Sequence, residues 1–192
     1  MKLVFATNNP KKIAEIRVQL AGTYDFLSLR DIDCTEEIPE TTGTIPGNAR
    51  QKARYVKDNY GYDCFSEDTG LEVEALNGAP GVDTAHYAGP ERSAVANNDK
   101  LLAALQGKDN RKAQFRTVIC LILHGEEHLF EGICAGTIAE APRGEGGFGY
   151  DPIFVPDDGD GRAFVNMTLA EKAAISHRGR AMRKLQAYLS QH

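Results

Sequence analysis

The segment Asp63-Cys64-Phe65-Ser66-Glu67-Asp68-Thr69-Gly70-Leu71-Glu72-Val73-Glu74 decides how this 192-residue chain is read. Cys64-Phe65 is apolar and predicts a short buried strand. Leu71, Val73 and Ala75 alternate with Glu72 and Glu74, the period of a second, half-buried strand. Between them Glu67, Asp68 and Thr69 predict an acidic turn, with Gly70 there to let the backbone reverse. Two adjacent carboxylates at a strand end repel each other unless a positive charge lies beside them. A magnesium ion bridging to phosphate oxygens is such a partner. Taken alone, the same residues also fit an acidic turn in solvent.

Upstream, residues 2–7 (Lys-Leu-Val-Phe-Ala-Thr) predict a buried first strand, followed by Asn8-Asn9-Pro10-Lys11-Lys12. Ile13, Ile16 and Leu20 then mark one face of a helix. Asn9 can cap it, Pro10 suits its first position, and Gly22 is a natural stop. The first four N–H groups of a helix lack internal partners, so residues 7–12 form an anion site. Lys11 and Lys12 oppose the helix dipole and therefore call for a negative ligand. Residues 24–29 are a second strand candidate. Residues 30–46 read as a long acidic loop carrying Glu36, Glu37 and Glu40, and loops of that length are often functional. A helix is expected from Gly47 or Asn48 to about Tyr60, ended by Gly61.

Downstream, Asn77-Gly78-Ala79-Pro80-Gly81 predicts a tight loop and residues 92–105 a helix with Leu101, Leu102 and Leu105 inward. Residues 114–124 and 128–138 flank a glycine turn and predict a hairpin. Its first strand, with the run Val118-Ile119-Cys120-Leu121-Ile122-Leu123, should be covered on both faces. His124 and His128 have a zinc-like spacing, but it matters only on a helix, and these two flank the turn. Arg143-Gly144-Glu145-Gly146-Gly147-Phe148-Gly149-Tyr150-Asp151-Pro152 is glycine-rich without the Gly-Lys-Ser/Thr of a P-loop. Glycines around Phe148 let a flat ligand reach both ring and backbone, which suits base stacking. Ile153-Phe154-Val155 follows as a short strand, and residues 157–161 as a solvated hairpin tip. Thr168-Leu169-Ala170-Glu171 is a capping box opening a helix that carries Lys172. Ser176 can cap a second helix, placing His177 and Arg178 at its start, facing a cleft.

The net charge is −5, whereas a general nucleic-acid or membrane-surface binder carries a positive surplus. An anionic ligand must then be held by local lysines and a metal. Four cysteines without a C-x-x-C pair predict buried free thiols and a reducing, cytoplasmic location. The apolar run Leu3-Val4-Phe5-Ala6 is too short for a signal peptide, and no stretch is long enough to span a bilayer. One domain is expected for residues 1–192.

Four motifs together resemble the inosine triphosphate pyrophosphatase family over essentially the whole chain. They are Thr7-x-Asn9-x-x-Lys12, Ser66 to Leu71 followed by Leu76 to Gly81, Gly146 to Phe154, and Glu171 to Arg178. The resemblance implies an α/β fold in which a long, twisted mixed β-sheet is flanked by helices, with two lobes around a central cleft. It also implies magnesium dependence, a homodimer, and hydrolysis of dITP, ITP and XTP to monophosphate and pyrophosphate. Residue by residue, it implies that Thr7, Asn8, Asn9, Pro10, Lys11 and Lys12 cradle the triphosphate. Asp68 is then the general base, and Glu40, Glu67 and Asp68 the magnesium ligands. Thr69 touches the nucleotide, Phe148 stacks on the base, and Gly149, Tyr150 and Asp151 continue that pocket, which Lys172, His177 and Arg178 close.

One departure stands out. Many members carry Glu-Asn-Ala after the acidic loop, where this chain has Gly47-Asn48-Ala49 after Pro46, and the loop from Gly43 to Asn48 looks one residue short. A carboxylate is therefore missing near the expected metal. Three other readings make distinct demands. A pyrophosphatase for modified pyrimidine nucleotides would differ in its substrates. A non-catalytic nucleotide sensor would keep Phe148 and Lys12 without needing Asp68. An RNA-binding module is disfavoured by the net acidity.

Overall fold

The computed structural model describes residues 2–192. Its seven strands are β1 (Leu3–Phe5), β2 (Phe26–Leu27), β3 (Cys64–Val73), β4 (Pro80–Gly81), β5 (Lys112–Leu123), β6 (Glu126–Ile138) and β7 (Phe154–Pro156). The five α-helices are α1 (Pro10–Leu20), α2 (Ile45–Tyr60), α3 (Ala94–Ala104), α4 (Leu169–Ile175) and α5 (His177–Leu189). The sheet runs in the order β2-β1-β3-β5-β6-β7, with β4 paired to β3. The β2-β1-β3 pairs are parallel and the rest antiparallel, so the sheet is mixed as expected.

The acidic segment is not a turn. Cys64 to Val73 is one uninterrupted strand, paired residue by residue with β5 from Cys64–Ile122 to Val73–Ala113. That ladder satisfies the backbone throughout, so no reversal is needed. The two carboxylates are tolerated because successive side chains of a strand point to opposite faces. Gly70 serves close packing instead. A Cβ there would lie 2.6 Å from both the Gly81 carbonyl oxygen and Ile45 Cδ1.

Alternation along β3 divides the core. Cys64 packs with Val4, Ala6, Val118, Cys120 and Ile122 against Ala49, Ala53 and Val56 of α2. Phe65 packs on the opposite face with Phe5, Ile119 and Leu121 against Ile16, Leu20, Met182 and Leu185 of α1 and α5. Farther along the same strand, Leu71 and Val73 belong to a third cluster with Leu101, Leu105, Phe115 and Phe154. Glu67 to Gly70 therefore lie where the shared strands pass from one lobe to the other. The predicted hairpin is present, and Val118 to Leu123 are all buried.

Helix α1 begins as predicted, with Asn9 Oδ1 accepting from the Lys11 and Lys12 N–H groups and Pro10 in the first turn. Helix α2 starts earlier than expected, at Ile45, because Thr44 caps it by accepting from Gly47 N–H. The second strand is only two residues long, and Ala75 lies in a 3-10 turn rather than a strand.

Candidate active site

A cavity of about 830 Å³ opens between the lobes, within the range of small-molecule sites. Residues Thr7 to Lys12 line it, as do Glu40, Asp68, Thr69, Phe148 to Asp151, Lys172, His177 and Arg178. Of the residues singled out from the sequence, only Glu67 is absent from this wall. It is 2 % exposed and sits beneath it.

Glu67 and Asp68 meet different surroundings because they point to opposite faces. The Glu67 carboxylate lies 2.5 Å from Lys12 Nζ and 3.3 Å from Arg178, and it accepts from Thr69 Oγ1 at 2.6 Å. Burial alone would raise its pKa, but Arg178, Lys12 and Lys52 outweigh burial and hold it well below the carboxylate range. Asp68 has weaker support. Lys52 Nζ is 3.8 Å from Oδ1, and Oδ2 is buried with no hydrogen-bond partner among the described residues. Burial pushes its pKa up to about 6, opposed by Lys52 and Lys12 and reinforced by Glu40 and Glu67. A carboxylate titrating near neutrality beside a cleft has the properties of a general base.

Lys52 was not singled out from the sequence. It is 7 % exposed, donates to the Glu67 carbonyl at 2.7 Å and pairs with Glu40. The signal was available: Ile45, Asn48, Ala49, Lys52, Ala53 and Val56 form the buried stripe of α2, and a lysine inside such a stripe needs a partner. Glu15 was missed in the same way. It occupies the buried stripe of α1 and lies 2.5 Å from both Lys172 Nζ and Arg178 Nη1. The Glu15 carboxyl is thereby held below its ordinary pKa despite burial, through Arg178 and Lys172.

On the far wall, Phe148 is half-buried, with Lys172 Nζ 5.6 Å and the Arg178 guanidinium carbon 5.3 Å from its ring centre. Asp151 receives Lys172 at 3.0 Å and the Phe148 N–H at 2.9 Å, which ties the glycine-rich loop to α4. Tyr150 is buried, its hydroxyl donating to the Thr84 carbonyl at 2.8 Å, so its ring is structural rather than free in the cavity. His177 and Arg178 are 3 % and 1 % exposed and are not surface charges. His177 stacks on Phe115 at 4.5 Å. Burial, with Arg178 and Lys172 nearby, drives its pKa well down, so the imidazole is neutral.

The fit of a divalent cation rests on Asp68. Its unpartnered Oδ2 is an anionic oxygen at the cavity wall, and Glu40 reaches the same lysine. Among the described residues no three His, Cys, Asp or Glu side chains form a ready-made metal cage. A site with one or two carboxylates completed by ligand phosphates is what magnesium commonly takes, and calcium or zinc would ask for more protein donors. The missing family carboxylate at Gly47 is not replaced in place. A Cβ there would lie 2.2 Å from Thr42 Oγ1 and 2.5 Å from Thr44 Oγ1, the helix cap. Asn48 turns inward beside it and accepts from Thr42 N–H at 3.1 Å.

A family model described as the Ham1 family matches residues 3–188. A dITP/XTP pyrophosphatase of Flavobacterium psychrophilum is 56% identical over 185 residues, covering 96% of this chain and 97% of that one. Another, from Christiangramia forsetii, is 55% identical over 190 residues, covering 99% and 100%. Among solved structures, a HAM1 protein of Coxiella burnetii superposes with TM-score 0.90 at 34% identity, covering 100% of both chains.

Proposed function

Because the chain belongs to the Ham1 family, we propose that it is a nucleoside triphosphate pyrophosphatase that hydrolyses the non-standard purine nucleotides dITP, ITP and XTP to monophosphate and pyrophosphate. Its relatives are named for dITP and XTP over nearly their whole lengths. The observation that carries the reading to chemistry is Asp68. It is a buried carboxyl with a free oxygen and a pKa raised to about 6, set among lysines on one cleft.

The triphosphate lies along Thr7 to Lys12; the first-turn N–H groups of α1 are already taken by Asn9, so the positive end of the helix dipole and the Lys12 ammonium meet its charge. Glu67 holds Lys12 in place from below. Asp68 takes a proton from a water attacking the α-phosphorus, a contribution typically worth about 10²–10⁴-fold. Lys52 opposes the effect of burial at Asp68 and so favours its ionised form. Asp68 and Glu40, with Glu67 beneath, would hold magnesium, which when bound neutralises phosphate charge and eases departure of pyrophosphate.

The base lies against Phe148. Arg178, with its guanidinium fixed between Glu15 and Glu67, and the neutral His177 present donors to a 6-keto oxygen. Adenine offers a 6-amino group there, and an unpaired donor in a buried site costs several orders of magnitude in rate. The four buried free thiols support a reducing, cytoplasmic setting, and the family resemblance supports a homodimer.

Incubation with ITP and magnesium tests the reading. Release of one pyrophosphate per IMP is expected, and release of orthophosphate would contradict it. A panel of ITP, XTP, dITP, GTP and ATP should show the first three cleaved fastest; equal rates on all five would remove the assigned selectivity.

A further inference from the structure

Helix α3 lies outside the chemistry described so far, yet two consecutive asparagines in its middle reach both walls of the base-side cavity. Asn97 Oδ1 accepts from the Ala88 N–H at 2.7 Å, and its Nδ2 donates to the Ala85 carbonyl at 2.9 Å. Asn98 Nδ2 donates across the lobe to the Gly149 carbonyl at 3.0 Å, next to Phe148, and to the Ala94 carbonyl of its own helix at 2.6 Å. Both neighbours are carbonyl oxygens, so the amino group must face them.

Asn98 is an expensive choice for this place. It is 5 % exposed, and its Oδ1 is buried with no hydrogen-bond partner among the described residues. An apolar side chain there would avoid the cost of that orphaned acceptor. Residues that break a local rule without a packing gain mark functional demands. What Asn98 supplies is the donor to Gly149, whose φ of +56° sets the backbone turn between Phe148 and Tyr150. The loop is also held by Lys172 at Asp151, by Lys11 at the Gly147 carbonyl and by the Tyr150 hydroxyl on Thr84, but the Asn98 bond is the one made at Gly149, the residue directly after Phe148.

We infer that Asn98 is a positioning residue for base recognition: through the Gly149 carbonyl it holds Phe148 at the angle that receives the purine, and it takes no part in phosphoryl chemistry. The inference rests on the pyrophosphatase reading given above. Asn98→Asp keeps the shape but replaces the donor by an acceptor, and Asn98→Ser shortens the side chain without adding charge. Each should raise KM for ITP by about fivefold, the loss of roughly one net hydrogen bond. In both variants kcat should stay within about twofold of the parent.

Inorganic tripolyphosphate, which has no base, serves as the control. Its competitive inhibition constant should be unchanged in both variants, because Asn98 bonds to the Ala94 and Gly149 carbonyls and to no residue from Thr7 to Lys12. An unchanged KM in both variants would overturn the inference. So would an equal loss of ITP and tripolyphosphate binding, which marks a general structural role, or a fall in kcat at constant KM. If the parent protein released no pyrophosphate from ITP, the underlying reading would fail instead, and the two failures are distinguishable.

Discussion

At the scale of single residues, Asp68 and Glu67 show how neighbouring carboxylates acquire opposite properties. Glu67 is held ionised by Arg178, Lys12 and Lys52, whereas burial dominates at Asp68. Asp68→Asn should abolish turnover while retaining ITP binding, measured by calorimetry. Near-normal turnover would refute the general-base role. The raised pKa also has a stability consequence. In the metal-free protein the folded state binds the Asp68 proton more tightly than the unfolded chain does. Its contribution is therefore present at low pH and is lost as pH rises from about 4 to about 6. Asp68→Asn removes that loss and should stabilise the metal-free protein at pH 7 by up to about 3 kcal/mol in urea unfolding. No change there would show that burial does not tax this carboxyl.

Lys52 provides a second residue-scale test. Its charge lowers the Asp68 pKa. Lys52→Met should therefore move the acid limb of the kcat/KM profile to higher pH. An unmoved limb would separate Lys52 from Asp68.

At the scale of elements, β3 can carry the proposed site because it belongs to two cores at once. Its first half packs between α2 and the α1–α5 pair, its last residues pack in the other lobe, and Glu67 and Asp68 fall between. Gly70 lets β4 and Ile45 close on that point. Gly70→Ala should cost about 1–3 kcal/mol from overpacking and lower activity at the same time, read by urea unfolding and ITP turnover. Wild-type values for both would show that the contact yields freely.

Much of this was legible in the sequence. The capped start of α1, the buried β5 run and the capping box before α4 each followed from local chemistry. The continuity of β3 was not legible, since Glu-Asp-Thr-Gly carries strong turn chemistry and the ladder that overrides it comes from residues 113–122, distant in sequence. Lys52 and Glu15 fall in the apolar stripes of α2 and α1, which was the available signal, but their partners on β3, α4 and α5 are distant in sequence and identify themselves only in the fold.

At the scale of the whole molecule, one chain of buried charges joins the lobes. Asp151, Lys172, Glu15, Arg178, Glu67 and Lys12 alternate in sign and connect the glycine-rich loop, α4, α1, α5 and β3. Such networks are not inherently strong sources of stability, but removing one member leaves its partners buried and unpaired. Glu15→Ala should therefore cost about 3–5 kcal/mol of folding stability, measured by denaturant midpoint at constant slope. A loss below about 1 kcal/mol would mean that water reaches Lys172 and Arg178. Chelation of divalent cations should abolish turnover, with recovery on adding magnesium. Full activity in chelator would remove the metal from the account.

In the proposed reaction, water activated at Asp68 attacks the α-phosphorus of a bound purine nucleoside triphosphate. Hydrolysis of ITP in ¹⁸O-enriched water, followed by mass spectrometry of both products, tests it most directly. The account predicts one ¹⁸O atom in the inosine monophosphate and none in the pyrophosphate. Label in the pyrophosphate, or in released orthophosphate, would place the attack on another phosphorus and contradict the claim.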